Sequence, residues 1–239
     1  MRIRQRIDEA SRTSAMSISI ILVALALSSF AALGCASMLL ERARLKRTRY
    51  IHDYAWPPGL LDKLTKHHPS LCPDDVEMVS QGLRQFFRAY LGSGSRYVAM
   101  PSQVADDLWH EFILYTRDYQ AFCRRAFGGF LHHTPAAGLS EQHTRSNEGL
   151  RRVWRHCCRE EEINTMRPDR LPLLFALDIK LSIPNGFYYH PDCTELRCRG
   201  EAGVQCGGDF ATARDTPGGS GCGGGGCGGD SGCGGGGGD

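Results

Sequence analysis

Charged side chains are missing from Met16 to Leu40, MSISIILVALALSSFAALGCASMLL, within a chain of 239 residues. The gap excludes an ordinary surface helix there, because such a helix needs a polar face. About 20 apolar residues cross a hydrocarbon layer of about 30 Å, so residues 16–40 are expected to form a retained transmembrane helix. A cleaved leader is the competing reading. Leu33, Gly34 and Cys35 loosely match a lipoprotein cleavage site, yet the apolar run continues through Met38, Leu39 and Leu40. Net charge is also scarce, at +2. Most of that excess lies in Arg42, Arg44, Lys46, Arg47 and Arg49, which suits anionic lipid headgroups and makes no independent case for nucleic acid.

Arg2, Arg4, Arg6 and Arg12 nearly balance the cluster after the run, so charge alone barely orients a span. If translation begins at Met16 those arginines vanish, and the positive-inside rule then places residues 41–239 in the cytoplasm. The expectation is a single-pass protein of the cell membrane with a cytoplasmic carboxyl side. It divides into a basic segment 1–15, the span 16–40, a basic juxtamembrane segment 41–49, one compact domain 50–206 and a tail 207–239.

The domain reads as mainly α. Trp56, Pro57 and Pro58 lead into LLDKLTKHH, which suits a short helix. CPDDVEMVSQGLRQFFRAYLGSG has Asp74 as expected N-cap, Glu77 three residues on, apolar positions at helical spacing and glycines at 92 and 94. After Pro101, Ser102 can cap a helix that runs to Gly128 and Gly129, about 25 residues. In SEQHTRSNEGLRRVWRHCCREEE, residues Leu150, Val153, Trp154, Cys157 and Cys158 form one buried stripe, so both thiols belong to the core. LPLLFALDIKLSIPNGFYYH is either a short proline-initiated helix or a small hairpin turning at Asn185 and Gly186. Of 29 glycines, 17 fall within residues 207–239, leaving too few apolar side chains to offset ordering, so that tail is expected to be disordered.

Candidate chemistry centres on DDLWHEFILYTRDYQAFC. At 100° per residue Val104, Leu108, Phe112, Tyr115, Tyr119 and Phe122 share a core arc, widened by Trp109 and Phe127. Asp106 and His110 fall off it, one turn apart, beside Ile113 and Leu114. FLHHTP follows the helix and adds His132 and His133. Asp106, His110, Glu111, His132 and His133 offer the carboxylate and imidazole groups that bind zinc or iron. The spacing DxxxH lacks the discriminating power of HExxH, and a hydrogen-bonded Asp106–His110 pair at a helix–helix contact is the competing reading. Convergence of Asp106, His110 and His132 or His133 within about 5 Å at a pocket, the distance shared coordination requires, separates the two.

The block MPSQVADDLWHEFILYTRDYQAFCRRAFGGFLHHTP, with the glycine tail, resembles the glycine-rich domain-containing proteins of plants and bacteria. Asp106, Trp109, His110, Tyr119, Cys123, Gly128 and His133 are its most specific residues. The resemblance implies an α-helical module and no particular reaction. RNA binding, attributed to some plant members, is not expected, because residues 50–206 show no RNP-like aromatic pattern or basic stripe.

The 11 cysteines are read as reduced in a cytoplasmic domain, where grouped thiols point to metal or redox chemistry. His190, Cys193, Cys198 and Cys206 supply four possible tetrahedral zinc ligands in a segment with few apolar residues. The repeated CxxC of a zinc ribbon is absent. Cys222, Cys227 and Cys233 sit among glycines that impose no geometry. The expected function is a membrane-anchored helical binding or scaffold module with an unidentified protein partner and a flexible tail. A metal-dependent enzyme or metal-binding protein built on Asp106, His110, His132 and His133 is the alternative, and a modified Gly/Cys precursor the minor one. No cofactor beyond zinc is implied.

Overall fold

A computed structural model describes residues 29–133, 143–191 and 205–210. Its order is α1 (29–53), α2 (Leu60–His67), α3 (Pro73–Gly92), α4 (Gln103–Leu114), α5 (Thr116–Phe127), α6 (His143–Glu160) and α7 (Leu173–Lys180). A two-residue strand β1 (Tyr189–His190) then pairs in parallel with β2 (Gln205–Cys206), followed by a 3-10 turn at Gly207–Phe210. The mainly α architecture is as the apolar spacing predicts. Of the expected disordered tail, residues 207–239, the first four form that turn, with Phe210 buried, and 211–239 lie outside the described residues.

The expectation of an integral membrane protein is overturned. Among the described residues no helix is long and apolar enough to cross a membrane. Within the described residues the apolar part of α1 is 29–40. Beyond it α1 carries the basic cluster and runs directly into the domain: Ile51 is fully buried, and Arg47 Nη1 donates to the Phe127 carbonyl at 3.3 Å. The cell-membrane, single-pass placement and the cytoplasmic side inferred from it fall with the span. Residues 16–28 lie outside the described residues.

Helix α3 is the central element because both of its faces are apolar: Val79, Leu83, Phe86, Phe87 and Ala89 are fully buried. It begins two residues earlier than expected, with Cys72 as N-cap where Asp74 was predicted. Pro73 occupies the first helical position, and the Cys72 backbone N–H donates to Asp75 at 2.9 Å, which uses proline where its missing N–H costs nothing. Gly82 gives α7 a close approach, since a Cβ there would lie 2.5 Å from Leu177 Cδ1. Arg84, buried within α3, ends α1: its guanidinium donates to the carbonyls of Ile51, His52 and Tyr54 at 2.8–2.9 Å and lies 4.6 Å from the Trp56 ring. These charge-assisted bonds satisfy carbonyls that a helix end leaves open.

The stripe on α6 is buried as its spacing predicts, with Val153, Trp154, Cys157 and Cys158 fully enclosed. Burial pushes both thiols upward, Cys158 to about 12, so neither is a thiolate at neutral pH. Trp154 packs against Phe175 and Phe210, at centroid distances of 5.1 and 5.7 Å. The segment after α7 forms a helix exit and turn in place of a hairpin: Asn185 is left-handed at φ 59° and Gly186 lies against Asp178, whose Cβ would be 2.7 Å from an added Cβ.

Candidate metal centre

The expected 25-residue helix is two helices. Tyr115, at φ −79° and ψ 62°, leaves the helical region between α4 and α5. Its hydroxyl donates to the Pro58 carbonyl at 3.3 Å and Lys63 Nζ lies 5.1 Å from its ring, contacts with the segment around α2 that no local pattern encodes. The core arc survives the break, because Val104, Leu108, Phe112, Tyr119 and Phe122 are all buried. At the end of α5, Gly128 adopts the left-handed conformation at φ 82°, which lets the chain reverse without a Cβ clash.

That reversal returns residues 130–133 to α4. Tyr119, fully buried, holds them there: its hydroxyl donates to the Leu131 carbonyl at 2.6 Å and accepts from Trp109 Nε1 at 3.1 Å. Burial pushes the Tyr119 phenol strongly upward, so it acts as a neutral donor. Tyr119→Phe should cost about 1–3 kcal/mol through the unpaired Leu131 carbonyl and Trp109 N–H. Urea titration measures this, and an unchanged midpoint would show that both groups find other partners.

Asp106, His110 and His133 meet as a result. His133 Nε2 lies 3.1 Å from Asp106 Oδ1, His110 Nδ1 lies 3.4 Å from Asp106 Oδ2, and the imidazole centroids are 4.1 Å apart. One possible ligand atom from each residue lies within 4.8 Å of the others. Two ligands each about 2.1 Å from one ion sit about 3.0–3.4 Å apart, so both carboxylate–imidazole separations fit. The imidazoles need to close slightly. His110, with 51% of its side chain exposed, has room to do so, whereas His133 is held against the Trp109 ring at 4.7 Å. His110 Nδ1 also lies 2.9 Å from the Asp106 backbone carbonyl, one turn earlier on α4.

The other candidates go elsewhere. Glu111 pairs with Lys63 at 2.9 Å and His67 at 3.2 Å, docking α2 on α4. His132 packs beside Phe130 at 4.8 Å and stays outside the ligand cluster. Beside His110, Ile113 packs against the core while Leu114 is exposed. Of the four zinc candidates near the carboxyl side, Cys193 and Cys198 lie outside the described residues, and Cys206 is disulfide-bonded. His190 is aligned with Cys206 through the backbone register of β1 and β2.

Asp106, His132 and His133 line a cavity of about 430 Å³ whose other walls include Tyr90, Tyr97, Trp109, Phe187 and Tyr189. That volume is within the range of small-molecule sites, and apolar walls with a few convergent polar groups are their usual chemistry. Tyr97, Phe187 and Tyr189 were not foreseen as site residues, because they come from segments far apart in sequence and have no shared periodicity.

A helical domain with two imidazoles and one carboxylate beside a cavity is the class that fold and site define. A family model described as UCP032817-like matches residues 46–210, more than half of the chain, and the chain belongs to that family. This corrects the resemblance to glycine-rich domain-containing proteins. An amphipathic helix block and a glycine-rich composition are weakly discriminating, and the match ends before most of the glycine tail. No curated protein and no solved structure matches the chain.

Proposed function

We propose that the domain binds one divalent transition-metal ion through Asp106, His110 and His133 and uses it to bind and polarise a small molecule in the adjoining cavity. The convergence of these three side chains beside an aromatic-walled cavity carries the reading. Imidazole suits zinc, iron, copper and nickel, and three protein ligands leave positions open for a substrate or water, the arrangement of catalytic as opposed to structural sites. When bound, the ion would supply Lewis-acid polarisation. The chain's own contribution is orientation: Asp106 is fixed by the start of α4, and His133 by Trp109 and by the Tyr119–Leu131 bond.

This reading takes precedence over a scaffold module because His133 joins the Asp106–His110 pair, and because His110 is half-exposed where a structural pair at a helix–helix contact would be packed. Purified full chain titrated with Co²⁺ should bind one ion per chain with visible d–d bands, and Zn²⁺ should displace it. His133→Ala and Asp106→Ala should each weaken binding at least about 100-fold, the scale on which losing a ligand or its support acts, while His132→Ala should not. Failure to saturate with either ion, or equal losses in the His132 variant, would falsify the proposal.

A further inference from the structure

On the far side of the loop that walls this cavity, five arginines gather, one of them paired. Arg151, Arg155 and Arg159 recur every four residues along α6, with Arg152 beside them, and Arg96 faces them from the loop after α3. Together with Ala89, Gly92, Ser93, Glu148 and His156 they line a depression of about 410 Å³. Glu148 is paired with Arg152, which also donates to the Tyr97 carbonyl, and Glu160 is taken up by Arg88. Among the described residues the guanidinium groups of Arg96, Arg151, Arg155 and Arg159 have no hydrogen-bond or ion-pair partner. Like charges at i, i+4 on a helix destabilise it, so the arrangement is unfavourable unless something neutralises it. The carboxyl end of α3 at Gly92 is one candidate. Its dipole, however, amounts to about half an elementary charge, against four uncompensated guanidinium groups.

The rest of the lining points to what belongs there. His156, half-buried between the arginines, has its pKa pushed down by burial, and its enclosed Nδ1, which makes no hydrogen bond, lies 3.7 Å from Glu160 Oε2. The lining contains no tyrosine, tryptophan or phenylalanine, so it offers no platform for stacking nucleobases, on which single-strand recognition depends. A compact group rich in phosphate oxygens matches the forked donors of arginine.

We infer that this depression between α6 and the loop after α3 is a binding site for a small oligophosphate or the phosphate chain of a small phosphorylated metabolite, separate from the metal centre. The inference does not depend on the metal reading.

The test uses the full chain, stripped of metal with a chelator so that metal capture by the probe is not mistaken for binding, and titrated calorimetrically with inorganic tripolyphosphate at constant ionic strength. Saturation at one per chain is expected. Arg96→Ala/Arg155→Ala, both exposed positions, should weaken it at least tenfold, whereas Arg117→Ala/Arg124→Ala on α5, an equal loss of charge away from the depression, should leave it within twofold. If the first double variant does not fold, Arg159→Gln serves in its place and should weaken binding at least threefold. No saturable binding, equal weakening in both double variants, or binding of a single-stranded RNA oligonucleotide without binding of tripolyphosphate overturns the assignment.

Discussion

Asp178→Ala should lower the domain's unfolding free energy by about 3–5 kcal/mol, the range for stripping the charged acceptor from a buried polar network. Asp178 on α7 is 1% exposed. Its two oxygens accept from the Ser102 hydroxyl at 2.8 Å and from the backbone N–H groups of Gln103, Val104 and Phe187 at 2.7, 3.2 and 2.8 Å. It therefore supplies the amino end of α4 with a negative charge across the tertiary fold, where the helix dipole favours one. Removing it strands four donors, three of them on the backbone. Asn should be little better, because its amide nitrogen would face an N–H on the Oδ2 side. Chemical denaturation at constant m-value measures the loss. Since α4 carries Asp106 and His110, Co²⁺ affinity at the metal centre should fall as well. A midpoint shift worth less than about 1 kcal/mol would mean that water replaces the carboxylate.

Trp109→Ala should cost a similar about 3–5 kcal/mol, the range for deleting a large aromatic from a core. The indole is 4% exposed and packs on Phe86 at 5.0 Å and Phe87 at 6.1 Å. Its other face touches His133, and its N–H reaches Tyr119, so the same truncation also frees the segment that holds His133. Trp109→Phe separates the two effects. It refills much of the volume but removes the N–H donor, while Tyr119 keeps its bond to Leu131, so stability should recover by more than half. Metal affinity in the Phe variant should lie between wild type and Ala. If Trp109→Ala melts like wild type, the indole is not the packing element described above.

Sequence periodicity was enough to locate most of the helices and their buried faces. The stripe through Val153, Trp154, Cys157 and Cys158, and the arc from Val104 to Phe122, are visible because burial repeats every 3.6 residues whatever lies opposite. Gly128 was readable as a stop, since a left-handed residue at a helix end favours glycine. Two errors have a common origin. The single long helix from 103 to 128 and the early basic α1 were judged from local pattern alone, and neither the Tyr115 contact with the Pro58 carbonyl nor the burial of Ile51 leaves a local trace.

The site shows the same division. Asp106, His110 and His133 were candidates on residue type and on their position off the core face, but His133 lies 27 residues from Asp106, and no spacing rule predicts that they touch. Their meeting depends on a break at Tyr115, a reversal at Gly128 and one phenol hydroxyl clamping Leu131. Likewise the arginine cluster went unseen. Arg151 to Arg159 alone look like a solvated helix face, and become a concave cationic surface only when Arg96 arrives from another segment while Glu148 and Glu160 are occupied by other partners. By itself the sequence determined which surfaces must be buried, because that follows from the periodicity of each segment. Only the tertiary structure decided which polar groups converge, because that depends on contacts between residues tens of positions apart, whose geometry is set by packing and not by local order.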